Sequence, residues 1–246
     1  MSSCGASSGL VIEDVGFAWG GKPALEGVSF AAPPGRFCAL LGPNGAGKST
    51  LFALLTGLMR PASGRIEVAG HDLSRAPRAA LARIGAVFQQ STLDLDLTVR
   101  RNLTYFAALH GIGGREAARR ADAALDRLDM REREGEKARA LNGGHRRRTE
   151  IARALMHGPA VLLLDEPTVG LDAAARRAIT DHVHDLGRDA GITVLWATHL
   201  VDEVRDEDEV VILHRGRVAA QGPAEEIAGP RPLTDVFLTM TGKAAA

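Results

Sequence analysis

Two cysteines, two tryptophans and one tyrosine in 246 residues leave several classes of protein out of reach. Cys4 and Cys38 are far apart and in no metal-ligand spacing, which excludes a disulfide framework and a zinc site and fits a reducing compartment. Charge of one sign is also missing. Thirty basic residues balance 30 acidic ones, so no global field draws the chain to nucleic acid or anionic lipid, and any anion site must be local. No apolar run approaches the ~18 residues that span a bilayer; the longest buried-looking stretches, such as 160–164, are strand-sized. Residues 1–9 lack the basic region and apolar core of a secretory signal and read as a disordered tail. There is no repeat of ~20 to 50 residues.

What is present is a globular composition, 45% hydrophobic and 24% charged, enough for a sizeable core. Short β-like runs at 11–17, 37–41, 84–88, 161–164, 193–197 and 210–213 alternate with turns and helical stretches, which predicts an α/β fold. The runs 37–41, 161–164 and 193–196 are apolar throughout, as expected of parallel strands covered on both faces. Between 91 and 159 the period becomes helical. Val99, Leu103, Phe106 and His110 follow a Thr98 cap, and Ala117, Ala121, Ala124 and Leu128 repeat the spacing, which predicts a helical insertion in the core. The mixed charges of 131–139 read as a solvated face.

Gly42-Pro43-Asn44-Gly45-Ala46-Gly47-Lys48-Ser49-Thr50 satisfies G-x-x-x-x-G-K-[ST] between an apolar strand and a helix-like stretch. The glycines let backbone N–H groups converge on phosphate oxygens, the helix start adds positive potential, Lys48 supplies a point charge, and the Ser49 hydroxyl can ligate magnesium. Further on, 161–164 is an apolar strand delivering Asp165 and Glu166 at its C-terminal end, where open α/β sheets place ligands. Neighbouring strand residues point to opposite sides, so Asp165 is expected to join the magnesium shell while Glu166 orients or deprotonates an attacking water. His182 and His184, two apart on a helix, point to different faces and predict no metal site; Arg146, Arg147 and Arg148 read as a solvated face or partners of nearby acids, not an RNA contact.

Leu141-Asn142-Gly143-Gly144-His145, ahead of a helix-like stretch, makes the chain resemble the nucleotide-binding subunits of ATP-binding cassette (ABC) transporters. Asn142 and His145 depart from the usual Leu-Ser-Gly-Gly-Gln. An Asn amide donates to phosphate as a Ser hydroxyl does, although Asn is equally a good plain helix cap. The resemblance covers residues 10–222 and implies a P-loop core with a mainly parallel sheet, an antiparallel β subdomain and the helical subdomain at about 91–159, with 223–246 as a C-terminal extension. It further implies that Asn142, Gly143, Gly144 and His145 cap the γ-phosphate of ATP held by a second cassette. Trp19 would stack on adenine, and Gln89 would touch magnesium and water. Asp172, in Gly170-Leu171-Asp172, would communicate between the two ATP sites, and His199 would contact the γ-phosphate. Asp165-Glu166-Pro167-Thr168-Val169-Gly170-Leu171-Asp172 resembles type-2, mostly exporting, cassettes. Asn142–His145 together with 95–99 resembles cassettes accompanying quinoprotein (PQQ) alcohol oxidation.

The resemblance thus implies an ATPase with ATP and Mg2+ as cofactors, working as a homodimer or paired cassette. Its partner would be an integral membrane permease, which would hold this cytoplasmic chain peripherally on the inner face of the cytoplasmic membrane, with no nucleic acid and no membrane contact of the chain's own. Two alternatives stay open here: a soluble ABC ATPase of the iron–sulfur assembly type, and an ATP-binding regulatory module, the latter motivated by Asn142 and His145.

Overall fold

The computed structural model describes residues 9–242. Most of the expected tail, with Cys4, lies outside the described residues. Gly9 does not belong to a tail: it is buried, its carbonyl accepts from Ala69 N at 2.8 Å, and a Cβ there would meet Ala32 O at 2.3 Å.

In chain order the elements are β1 (Leu10–Trp19), β2 (Lys22–Ala32), β3 (Phe37–Leu41), α1 (Lys48–Leu55), β4 (Ser63–Val68), β5 (His71–Asp72), α2 (Pro77–Leu81) and β6 (Ile84–Val87). Three helices follow, α3 (Val99–Leu109), α4 (Gly114–Arg127) and α5 (Gly143–Ala154). The chain then returns through β7 (Val161–Asp165), α6 (Ala173–Ala190), β8 (Thr193–Thr198), β9 (Glu209–His214) and β10 (Arg217–Pro223) to α7 (Ala224–Ala228) and α8 (Leu233–Thr241).

Six strands form the main sheet in the order β10-β9-β3-β8-β7-β6, parallel from β9 to β6, with β10 antiparallel at one edge. The other four form an antiparallel sheet, β2-β1-β4-β5. The apolar run of β3 is explained by two cores. Phe37, Ala39 and Leu41 join Trp196, Leu164 and the residues of α3–α6, whereas Cys38 and Leu40 join Leu195, Leu163 and the α1 and antiparallel-sheet residues. Every side chain of such a strand is covered, so none needs to be polar.

Between β6 and β7 the three helices carry the expected caps and faces, with one shift. Thr98 Oγ1 accepts from Arg101 N at 3.2 Å, and Ala117, Ala121, Ala124 and Leu128 are buried. In α3 the buried line runs Val99, Leu103, Ala107, while His110 is exposed and stacks on His157 at 4.2 Å. Burial and the neighbouring His110 lower the His157 pKa to about 4.

Residues after β10 fold back on the main sheet. Ala224 N donates to Asp208 O at 2.8 Å, and Ala224 and Phe237 are part of the larger core. Phe237→Ala is therefore expected to cost ~3 to 5 kcal/mol in urea unfolding. A loss under ~1 kcal/mol would show that α8 is peripheral.

Candidate functional site

Parallel pairing brings three strand ends to one edge. Leu41 pairs with Thr198 and Asp165 with Ala197, so Gly42, Glu166 and His199 emerge side by side at the carboxyl ends of β3, β7 and β8. Gly42 N donates to Thr198 O at 3.2 Å and Glu166 N to Ala197 O at 3.0 Å, which fixes the three chain segments against one another.

Residues 42–50 then wrap into α1. Gly47 stands at the helix N-cap with φ 111°, and a Cβ there would lie 2.9 Å from Ala24 O, so no other residue fits. With no acidic residue in the first turn of α1 and no capping side chain, the N–H groups of the helix start are left for an outside acceptor. Lys48 folds back under this loop. Its Nζ donates to Gly42 O at 2.7 Å and Pro43 O at 3.4 Å and pairs with Glu166 Oε1 at 3.1 Å; the two side chains are 5% and 12% exposed.

The two carboxylates do not diverge as strand alternation predicts. Glu166 leaves the strand in the left-handed conformation, φ 46°, and its carboxylate turns to Lys48, with His199 Nδ1 3.4 Å from the same oxygen. Asp165 faces the same place: burial and the Glu166 charge raise its pKa, while Lys48, a Ser49 hydrogen bond and Arg147 oppose the rise. Asp165 Oδ1 is buried with no hydrogen-bond partner among the described residues. An orphaned hard oxygen within reach of the Ser49 hydroxyl fits a magnesium ion, and Ser49 and Gln89 both line the adjoining cavity.

That cavity measures about 690 Å3 and is lined by Trp19, Pro43–Thr50, Gln89 and Glu166. Trp19 is not core: it is 51% exposed, edge-on to Phe17 at 5.1 Å, and its Nε1 donates to Thr50 Oγ1 at 3.2 Å. The expected Asn142, Gly143, Gly144, His145 and Asp172 do not line it, and Gly42, Asp165 and His199 stand behind Lys48 and Glu166 rather than in its lining. Asn142 caps α5 through its Oδ1, which accepts from His145 N at 2.8 Å. Asp172 caps α6 in the same way, accepting from Ala175 N at 2.8 Å. The two caps are neighbours, since Cβ positions at Gly143 and Gly144 would fall 3.0 Å from Leu171 Cδ2 and 3.2 Å from Ala175 Cβ. Burial, then Arg133 and Arg148, lower the His145 pKa.

Some functional residues were not foreseen. Lys22, Arg215 and Gly216 also line the cavity, brought there by the β1–β2 and β9–β10 turns; Gly216 N donates to Ala46 O at 2.9 Å. Of the three arginines read as a solvated face or as partners of nearby acids, Arg147 and Arg148 pair with acids, Glu150 and Asp129, and Arg147 is buried. It donates to Phe88 O at 2.7 Å, Gln89 O at 2.8 Å and Glu150 Oε2 at 2.8 Å, while Glu150 Oε1 accepts from Thr92 N at 2.8 Å. The signal available was the Arg147–Glu150 i,i+3 pair on a helix. His182 and His184 form no metal cluster among the described residues; His184 is buried, stacked on Phe37 at 3.9 Å and bonded to Asp208 at 2.9 Å.

A glycine-rich phosphate loop after the parallel strand β3, a lysine beneath it and two acids at the end of β7, with β8 between the two strands, define a P-loop nucleoside triphosphatase. Comparison with known proteins narrows this. The ABC transporter family model matches residues 25–169. The daunorubicin resistance ATP-binding protein DrrA3 of Streptomyces coeruleorubidus is 39% identical over 98% of this chain and 77% of its own length. The linearmycin resistance ATP-binding protein LnrL of Bacillus subtilis is 36% identical over 89% of this chain and 70% of its own. Among solved structures, cbiO1 of Clostridium perfringens, part of the ABC transporter complex cbiONQ, superposes with a TM-score of 0.82 at 33% identity, over 90% of each chain. The chain belongs to the ABC transporter family, as an ATP-binding subunit with ATPase activity. No helix among the described residues is long and apolar enough to cross a membrane.

Trp19→Ala is expected to weaken ATP binding ~10- to 100-fold, a loss of ~1 to 3 kcal/mol of base stacking. Because Trp19 is half exposed, the thermal midpoint should barely move. Unchanged nucleotide titration of the folded variant would remove Trp19 from the site.

Proposed function

We propose that two such cassettes, as a homodimer or with a paired chain, close around two Mg-ATP and drive a separate integral membrane permease in export. The observation that carries this reading is a complete phosphate cradle in a chain whose Asn142–His145 segment caps an exposed helix start outside its own cavity. Such a segment presents the Gly143 and Gly144 backbone N–H groups to a phosphate held by another chain. The resistance names of the relatives support export. The link to quinoprotein alcohol oxidation rests on the Asn142–His145 and 95–99 resemblance alone.

In this reading Trp19 stacks on adenine and the amides of residues 44–50 surround the phosphates; Ser49, Gln89 and Asp165 would hold magnesium, which would offset phosphate charge. Lys48 changes partner. An incoming phosphate takes the ammonium from Glu166, and the freed carboxylate accepts a proton from the attacking water. His199, beside the same carboxylate, contacts the γ-phosphate, and Asp172 links the two sites. The chain then sits on the inner face of the cytoplasmic membrane through its permease, with no nucleic acid involved.

The surface for that permease follows Gln89. Along that segment Leu93 is buried in its own domain and Leu97 is half-buried, which leaves Leu95 at 43% exposure, with Tyr105 and Leu109 exposed on α3.

Glu166→Gln is expected to stop turnover while retaining ATP, so that Mg-ATP shifts the variant to a dimer in size-exclusion chromatography. Hydrolysis at the wild-type rate would remove Glu166 as the base. Leu95→Glu should uncouple transport and weaken permease association while leaving the isolated cassette's hydrolysis intact. Normal transport by that variant would take this surface out of the mechanism.

A further inference from the structure

The turn at Val201–Glu203, just after His199, grips the chain on both sides of residues 169–172. Glu203 is 3% exposed and lies outside the cavity. Its Oε2 accepts from Trp196 Nε1 at 2.9 Å, and its Oε1 accepts from the Thr168 hydroxyl; both donors are buried. One residue earlier, Asp202 Oδ2 accepts from Arg176 Nη1 at 3.2 Å, in the first turn of α6. Thr168 O in turn accepts from Leu171 N at 3.1 Å. The buried Glu203 carboxylate therefore joins its own turn to two segments, β8 three residues before His199 and the loop two residues after Glu166, and the exposed Asp202 adds the first turn of α6 through Arg176. A carboxyl group taken out of water is kept only where donors satisfy it, and here each donor comes from a different functional segment.

We propose that Glu203 is a positioning residue for hydrolysis. It locks residues 168–172 to the strand that carries His199, so that displacement of His199 on nucleotide contact carries Asp172 with it. Glu203 does not touch nucleotide. It acts by keeping the Glu166 loop and the His199 segment in one rigid frame, with the Arg176–Asp202 pair holding the far side of the same loop. This inference rests on the nucleotide-hydrolysis reading of the cavity.

The test compares Glu203→Ala, Glu203→Gln and Thr168→Val in the full chain, measuring steady-state ATP hydrolysis and, separately, equilibrium binding of Mg-ATP. Glu203→Ala is expected to lower kcat ~10-fold or more while Kd stays within ~2-fold, the split expected of a group that acts only on the reacting geometry. Glu203→Gln should recover kcat to within ~3-fold of wild type, because its carbonyl still accepts from Trp196 and its amide can donate to the Thr168 oxygen. Thr168→Val, which removes one hydrogen bond without emptying the site, should fall between the two and serves in place of Glu203→Ala if that variant does not fold. The Trp196 indole N–H resonance should move on Mg-ATP addition in wild type and stay fixed in Thr168→Val. Unchanged kcat in a folded Glu203→Ala or in Thr168→Val, a parallel loss of kcat and affinity, or failure of Glu203→Gln to rescue would each overturn the positioning role. Absence of any nucleotide binding by the wild-type chain would instead overturn the reading beneath it.

Discussion

A buried ammonium must be paired, and in this chain Lys48 is the cation on which the site is built. Two carbonyls of its own loop and the Glu166 carboxylate surround it, so β3, α1 and the end of β7 are held to one point. The same arrangement makes the centre exchangeable. A phosphate group offers Lys48 what Glu166 offers it, with more charge, and the N–H groups at the start of α1 add to that preference. In the function proposed above, phosphate binding changes the partner of Glu166 and so couples occupancy to hydrolysis.

Two other sets of buried polar groups stand at joints leading away from this centre. Arg147 and Glu150 tie Phe88, Gln89 and Thr92 to α5, the helix that begins with Gly143 and Gly144. Gln89 and the Asn142–His145 cap are thus connected through one buried hydrogen-bonded pair on α5. On the opposite side, Glu203 joins Trp196 to Thr168, and the caps at Asn142 and Asp172 pack against each other through Gly143 and Leu171. Removing one member of such a pair leaves a buried donor or charge unsatisfied, so these joints resist drift and move as units.

Much of this was legible in the residues because of how the main sheet is covered. β3, β7 and β8 are buried on both faces, and nothing but an uninterrupted apolar run satisfies that position. β2 and β4 escaped notice for the opposite reason: they are half-exposed, carry glycines at positive φ such as Gly27 and Gly64, and belong to a sheet with irregular register, so their alternation is broken. His110 was placed on the buried face by extending a short spacing too far, where the helix puts Ala107 there instead. Glu166 was expected to follow the pleat, which its left-handed backbone abandons. Arg147 pairs with an acid as one of its two sequence readings allows, and its i,i+3 spacing to Glu150 was visible in the residues; that the pair is a buried strut comes from tertiary packing.

The dependence of the site on Lys48 is open to a direct measurement. Trp19 lines the cavity and Trp196 is fully buried, so quenching of Trp19 fluorescence reports nucleotide arrival in a chain with only two tryptophans. Titration of Mg-ATP into wild type and Lys48→Ala, both folded by circular dichroism, should give saturable quenching in the first and an affinity lower by ~100-fold or more in the second, about 2.7 kcal/mol or more of binding free energy. Equal affinities in the two proteins would contradict a phosphate site centred on Lys48.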